Sequence, residues 1–191
     1  MPCSELADIT HSQCENTSQK DAFCVFLRTH LCICSRIVNH YIPARTPALL
    51  QLNKLFIDIL LSVNKNFVES KEQHNVWWDR AFHFYAENPH DYFQGLVMMV
   101  AAHIIGDLPL ALSALSEGGV EIDKNDYDDV LFHILHCVKK EGISVGSSFT
   151  EQVLSFIQKR VDPECKLTVK QMREYAWREY LRIRARNKGP F

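Results

Sequence analysis

An imidazole and a carboxylate four residues apart can do two kinds of chemistry. The sequence places such a pair at His103 and Asp107, in the segment His103-Ile104-Ile105-Gly106-Asp107-Leu108-Pro109. On a helix the two side chains share a face, with Cβ atoms about 5–6 Å apart. Both can then face one divalent metal ion, or the carboxylate can orient the imidazole as a general base. Gly106 between them permits close approach of another group to the backbone. The same residues also have a structural assignment, in which Asp107 caps a second half-helix and His103 is a hydrogen-bonded core histidine.

Asp79 and His83 repeat the four-residue spacing on the preceding helix. Two pairs converging from consecutive helices would build a metal site like that of helical zinc-dependent phosphoesterases. Hydrolysis of a small molecule or ester is then the reaction to consider. Trp77-Trp78-Asp79-Arg80 equally suits a surface ion pair beside an aromatic anchor. Asp58 and Asp21 interrupt apolar helical stretches, where a carboxylate is costly unless paired. Both are therefore further candidate metal ligands, and Asp58 either partners His103 or points to solvent.

Other pairings are weaker. His90-Asp91 follows Pro89 at a helix start, where an acid complements the helix dipole. Glu87 and His90 have the lettering of a di-iron ligand pair, but Pro89 denies them helical geometry. His133 and His136, three apart, either add ligands or sit half-buried at the surface. The chain contains no glycine-rich phosphate loop, no dinucleotide fingerprint, no nucleophile elbow and no His-Glu-x-x-His. Nucleotide-cofactor oxidoreductases, P-loop hydrolases and serine hydrolases of the common type are therefore not expected.

The elements that must position these residues read as helices throughout. Phe23, Phe26, Leu27, Leu31, Cys34 and Val38 recur at three- and four-residue steps from Asp21, and Ile42-Pro43 ends that run near Tyr41. Thr46-Pro47 opens the next helix, with an apolar stripe of Leu49, Leu52, Leu55, Phe56, Ile59, Leu60, Val63 and Phe67. A third helix covers about Asn75 to Ala86. Asn88-Pro89 opens the most apolar one, from His90 to about Ile105. Pro109 cannot bond the Ile105 carbonyl and would clash with it, which predicts a kink or break at Gly106–Pro109. Helix resumes to Gly118-Gly119. Asp123 caps a segment ending at Gly142, Ser147 or Ser148 caps Phe149 to Val161, and Thr168 caps the last helix, with Met172, Tyr175, Ala176, Tyr180 and Ile183 inward. Residues 1–19 read as a flexible polar leader and 20–191 as a single helical domain. The fold class is all-α, a globular bundle of about seven helices.

Composition narrows the function classes. A chain of 191 residues with 47% hydrophobic content can bury one sizeable core. A net charge of -2 gives no electrostatic footprint for nucleic acid. The basic residues Arg178, Arg182, Arg184, Arg186 and Lys188 suit the C-terminal end of a helix dipole. The seven cysteines form no paired zinc knuckles. Cys24, Cys32 and Cys34 read as small buried hydrophobes, pointing to a reducing, cytoplasmic setting. The longest apolar run, Leu96 to Ile105, contains His103 and stops at Gly106-Asp107, so no membrane span is expected.

The ordered segments resemble the family catalogued as domain of unknown function 5995. Its Ala-His-Ile-x-x-Asp-Leu-Pro-x-Ala-Leu run is matched by Ala102 through Leu112. Asp21 to Phe26 and Leu49 to Phe56 match earlier segments. Asp126-Tyr127-Asp128-Asp129-Val130 matches a later one in part, with Leu131 where an Asn is usual. Arg173-Glu174-Tyr175-Ala176-Trp177 matches its Arg-x-x-Ala-Trp. The resemblance implies an all-helical single domain and puts His103 and Asp107 first among functional residues. It implies no reaction.

Two functions follow as expectations. One is a small enzyme, with His103 and Asp107 joined by some of Asp79, His83, Asp58 and Asp21 around a divalent metal or acting as an acid–base pair on a small-molecule ligand. The other is a non-catalytic helical module that uses Phe and Met side chains, including Met98 and Met99, to hold an apolar ligand or a partner helix. Oligomeric state is left open.

Overall fold

The computed structural model describes residues 2–14, 22–40, 47–69, 75–130 and 168–187. In chain order these form α1 (Pro2–Cys14), α2 (Ala22–His40), α3 (Pro47–Val68), α4 (Val76–Glu87), α5 (Tyr92–Ala101), a π-helical segment (Ala102–Asp107) and α6 (Leu108–Glu117). A helical stretch at 124–130, here α7, and α8 (Val169–Asn187) complete them. No strand occurs among the described residues, and the fold is all-α.

Local chemistry accounts for most boundaries. Pro47 opens α3, where its missing N–H would have had no partner anyway. Asn75 caps α4 by accepting the Trp77 N–H at 2.9 Å. The expected opening of α5 at Asn88-Pro89 is not found. Asn88 instead ends α4, and Asp91 caps α5 by accepting the Gln94 N–H at 3.1 Å. Gly118 closes α6, and Gly119 takes the positive φ that glycine reaches without strain. Asp123 accepts the Asn125 N–H ahead of α7. Thr168 and Gln171 exchange hydrogen bonds as a capping box at the start of α8.

The predicted interruption at Gly106–Pro109 takes another form. The chain does not break; it widens into a π turn, in which the Leu108 N–H donates to the His103 carbonyl. Pro109 forbids the α-type bond to Ile105, and the π turn absorbs that loss without ending the helix. Tyr92–Glu117 is therefore one 26-residue helical run, not an apolar segment stopped at Gly106. It is long and apolar enough to cross a membrane, and 78% of its most apolar window is buried inside the protein. The π segment packs against α3, α4, α5, α6 and α8 and forms the hub of the bundle.

Three further readings change. Residues 2–14, expected within a loose leader, form α1, which packs on α2 and α3. Cys24 is not a free thiol: it is bonded to Cys14, with Cα atoms 5.5 Å apart, tying α1 to α2. On α8, Tyr175 is exposed, and Arg173 takes the inward place beside Met172, Ala176 and Tyr180. The α3 stripe is also shifted, with Ile57 sealed in the core and Leu55 and Ile59 only partly covered. The expected helices between residues 131 and 167 lie outside the described residues.

Candidate acid–base site at the π segment

His103 and Asp107 lie in the centre of the hub, with relative exposures of 3% and 1%. The π segment puts them on one face, and His103 Nδ1 stands 3.0 Å from Asp107 Oδ2. The same oxygen accepts the Trp78 indole N–H at 2.7 Å. The other, Oδ1, accepts the Asn75 amide at 2.9 Å. Indole and amide can only donate here, so Asp107 is the acceptor throughout and the hydrogen of its third bond belongs to His103 Nδ1. Asp107 makes no side-chain cap at α6. The carboxylate is therefore not the helix cap; it is bonded to the imidazole instead.

Asn75 reaches the carboxylate because residue 106 is glycine. A Cβ at Gly106 would lie 2.0 Å from Asn75 Nδ2. Asn75 thus joins two functions through one side chain: its oxygen starts α4 and its amide nitrogen holds Asp107. Trp78, fully buried on the same helix, supplies the second donor.

Rings enclose the imidazole. Phe56 stacks on it with centroids 3.6 Å apart and planes 9° apart. Phe26 meets it edge-on at 5.5 Å, and Trp78 lies at 6.1 Å. His30 from α2 approaches to 4.5 Å, nearly perpendicular. Burial, reinforced by His103 beside it, holds the His30 imidazole well below the usual histidine range. The Nε2 atoms of both His103 and His30 are buried without a hydrogen-bond partner.

The remaining predicted ligands are not brought to this site. Asp79 and His83 are exposed on α4, and His83 pairs with Glu87 at 3.3 Å. The reason is the inward face of α4, taken by Trp78, Ala81 and Phe82. Arg80 stands over the Trp77 ring. Asp58 is exposed. His90 and Asp91 are exposed too, and Asp91 is occupied as a cap. Asp21, His133 and His136 lie outside the described residues. Among the described residues no three His, Cys, Asp or Glu side chains stand together as a metal site. Met99 is sealed in the core, and Met98 is half-buried against it.

Sequence reasoning missed His30, Asn75, Trp78, Phe26 and Phe56 as parts of the site. His30 carried a signal: it lies four residues from both Phe26 and Cys34, on the apolar face of α2.

A family model described as "Family of unknown function (DUF5995)" matches residues 5–190. No curated protein and no solved structure matches the chain.

Proposed function

The chain belongs to the DUF5995 family, and we propose that it is a small enzyme whose acid–base centre is His103 oriented by Asp107. One observation carries this reading. His103 is fixed at Nδ1 by a carboxylate that is itself held by two donors, while its Nε2 is buried and unpartnered. A carboxylate that fixes the tautomer and orientation of an imidazole leaves the far nitrogen as a proton acceptor, which is what a general base requires. Both oxygens of Asp107 are occupied by Asn75, Trp78 and His103, which favours an orienting role over metal ligation. The substrate class is a small molecule, an ester among the candidates, whose hydrolysis needs a water deprotonated as it attacks.

The enclosure of the pair favours a second reading, a non-catalytic helical module in which His103 and Asp107 lock the core. Turnover of 4-nitrophenyl acetate and a panel of small esters by the full chain separates the two. The enzyme reading expects His103→Gln to lower turnover about 100-fold or more, the range for loss of a general base, with a melting temperature near that of the wild type. Wild-type rates equal to free imidazole, with His103→Gln affecting only the melting temperature, support the structural reading instead.

A further inference from the structure

The site holds two imidazoles with an unpartnered Nε2, not one. Both His30 and His103 are more than nine-tenths buried, and the Nε2 of each lacks a hydrogen bond. Leaving a buried polar atom unpaired costs about 1–3 kcal/mol. Here two such atoms belong to rings in direct contact, at 4.5 Å. Buried polar groups generally find a hydrogen-bond partner, and two of the four buried side-chain atoms left without one among the described residues are these Nε2 atoms. Paired orphans at one place fit a partner that arrives from outside the chain.

The surrounding rings define what that partner is. Phe56 lies flat on His103 and meets His30 edge-on at 5.6 Å. Phe26 contacts both imidazoles from α2, and Trp78 closes the α4 side. Of these five rings only Phe56 is partly exposed, and it is the ring that stacks on His103. The walls are otherwise flat and apolar. Among the described residues, no lysine or arginine bonds to His30, His103 or Asp107, so an anionic ligand finds no countercharge. His103 Nε2, with the ring hydrogen on Nδ1, accepts and does not donate.

We propose that His30 and His103 form a paired-imidazole binding site for a neutral small molecule with a flat apolar body and a hydroxyl head, entering where the Phe56 ring now lies. The hydroxyl donates to His103 Nε2 and its oxygen faces His30, so both orphaned nitrogens gain a polar neighbour. The apolar body replaces Phe56 against the remaining rings. This names the alcohol half of the ester that the acid–base centre would release, and rests on the assignment of His103 above. It is tested by binding alone, with a compound that is not turned over, so it can fail while the ester assay succeeds, and the reverse.

The probe is phenol, with toluene as its hydroxyl-free counterpart. The 15N-labelled full chain is titrated with each while the histidine ring nitrogens are followed by long-range proton–nitrogen correlation. Phenol is expected to shift the Nε2 resonances of both His30 and His103 and to bind about tenfold or more tightly than toluene, the discrimination expected of a buried hydrogen bond. Phe56→Leu, which thins the ring cover without emptying it, is expected to strengthen phenol binding. His103→Phe is expected to reduce phenol to the affinity of toluene. Equal binding of phenol and toluene to Phe56→Leu overturns the proposal. So does binding of phenol that moves neither Nε2, or no binding of phenol to either the wild type or Phe56→Leu.

Discussion

Around Tyr127 and Arg173 each buried polar side chain has a partner, whereas around His103 two imidazole nitrogens have none. The first cluster closes on itself. The Arg173 guanidinium donates to the Tyr127 carbonyl and lies 4.1 Å over the Tyr127 ring. The Tyr127 hydroxyl returns a hydrogen bond to the Arg173 carbonyl at 2.8 Å. Burial pushes that hydroxyl up to about 12, so it remains a donor at any ordinary pH. The ring of Trp177 packs 4.8 Å from that of Tyr127. This is a clamp between α7 and α8, and satisfied buried networks of this kind rigidify a core. The second cluster is satisfied at Asp107 and unsatisfied beyond it. Packing alone therefore accounts for the family-like segments at Asp126–Val130 and Arg173–Trp177, but not for the one running from Ala102 to Leu112.

The sharpest way to break that contrast is Asp107→Ala. It strands the Trp78 indole, the Asn75 amide and His103 Nδ1 in the hub without an acceptor. The expected loss is about 3–5 kcal/mol, as for other buried charged groups removed from their partners. Urea unfolding of the full chain measures it, and a loss under 1 kcal/mol would mean that Asp107 is not the organiser of the site. Arg173→Met comes next. It removes the guanidinium's hydrogen bond and its stacking on Tyr127 but keeps an apolar stem, at a cost of about 2–3 kcal/mol. The difference lies in function: Arg173→Met is expected to bind phenol and turn over esters at wild-type levels once folded. Loss of either at a temperature where the variant is fully folded would show that the clamp belongs to the site.

Much of the frame was legible because it is local. Proline at 47, the acid before α7, the Thr168 cap and the paired glycines after α6 act within a turn of their own position. The His103–Asp107 contact was legible for the same reason, since four-residue spacing is a property of any helix. The π turn was not. Pro109 states that the Ile105 carbonyl loses its α-type donor, but ending the helix and widening it both meet that demand, and packing on five neighbouring elements decides between them. The metal set around Asp79 and His83 could have been discounted. Trp78 and Phe82, also four apart, compete for the inward face of α4, and burial of large rings wins over burial of charges. Asn75 left no local trace, because its bond to Asp107 joins residues 32 apart in the chain. Only Gly106 hinted that something approaches closely there.

Gly106→Ala sharpens the comparison by disturbing the support of Asp107 without removing a polar group. Its Cβ meets Asn75 Nδ2 at a distance no side chain tolerates, so Asn75 must shift off the carboxylate. Overpacking of this kind costs about 1–3 kcal/mol. Asn75→Ala alone loses a cap and a hydrogen bond. If the clash runs through Asn75, the double variant is less destabilised than the sum of the two single ones, because the second change removes what the first collides with. Additive losses in a double-mutant cycle would place the effect of Gly106 elsewhere.

The smallest effect is the most specific to the unsatisfied cluster. In the unfolded chain His30 takes a proton near pH 6.5, the ordinary histidine value. In the folded chain burial, and then the neighbouring His103, hold it well below that. As pH falls below about 6.5 the unfolded state therefore binds a proton that the folded state refuses, and stability drops by up to about 1.4 kcal/mol per pH unit. Above pH 6.5 neither state binds it and the contribution is flat. His30→Phe fills the same space with a ring that does not titrate. Subtracting the variant's pH–stability curve from that of the wild type cancels the acids common to both. The difference is expected to be level above pH 7 and to grow in the variant's favour as pH falls from 6.5 toward 5. Removing His103 instead takes away the second cause of the depression, so in His103→Gln the same fall begins at the same pH but levels off sooner as pH drops. A difference curve for His30→Phe that stays flat to pH 5 would mean that His30 takes its proton as easily folded as unfolded. The imidazole pair would then have no more functional claim than the clamp at Tyr127.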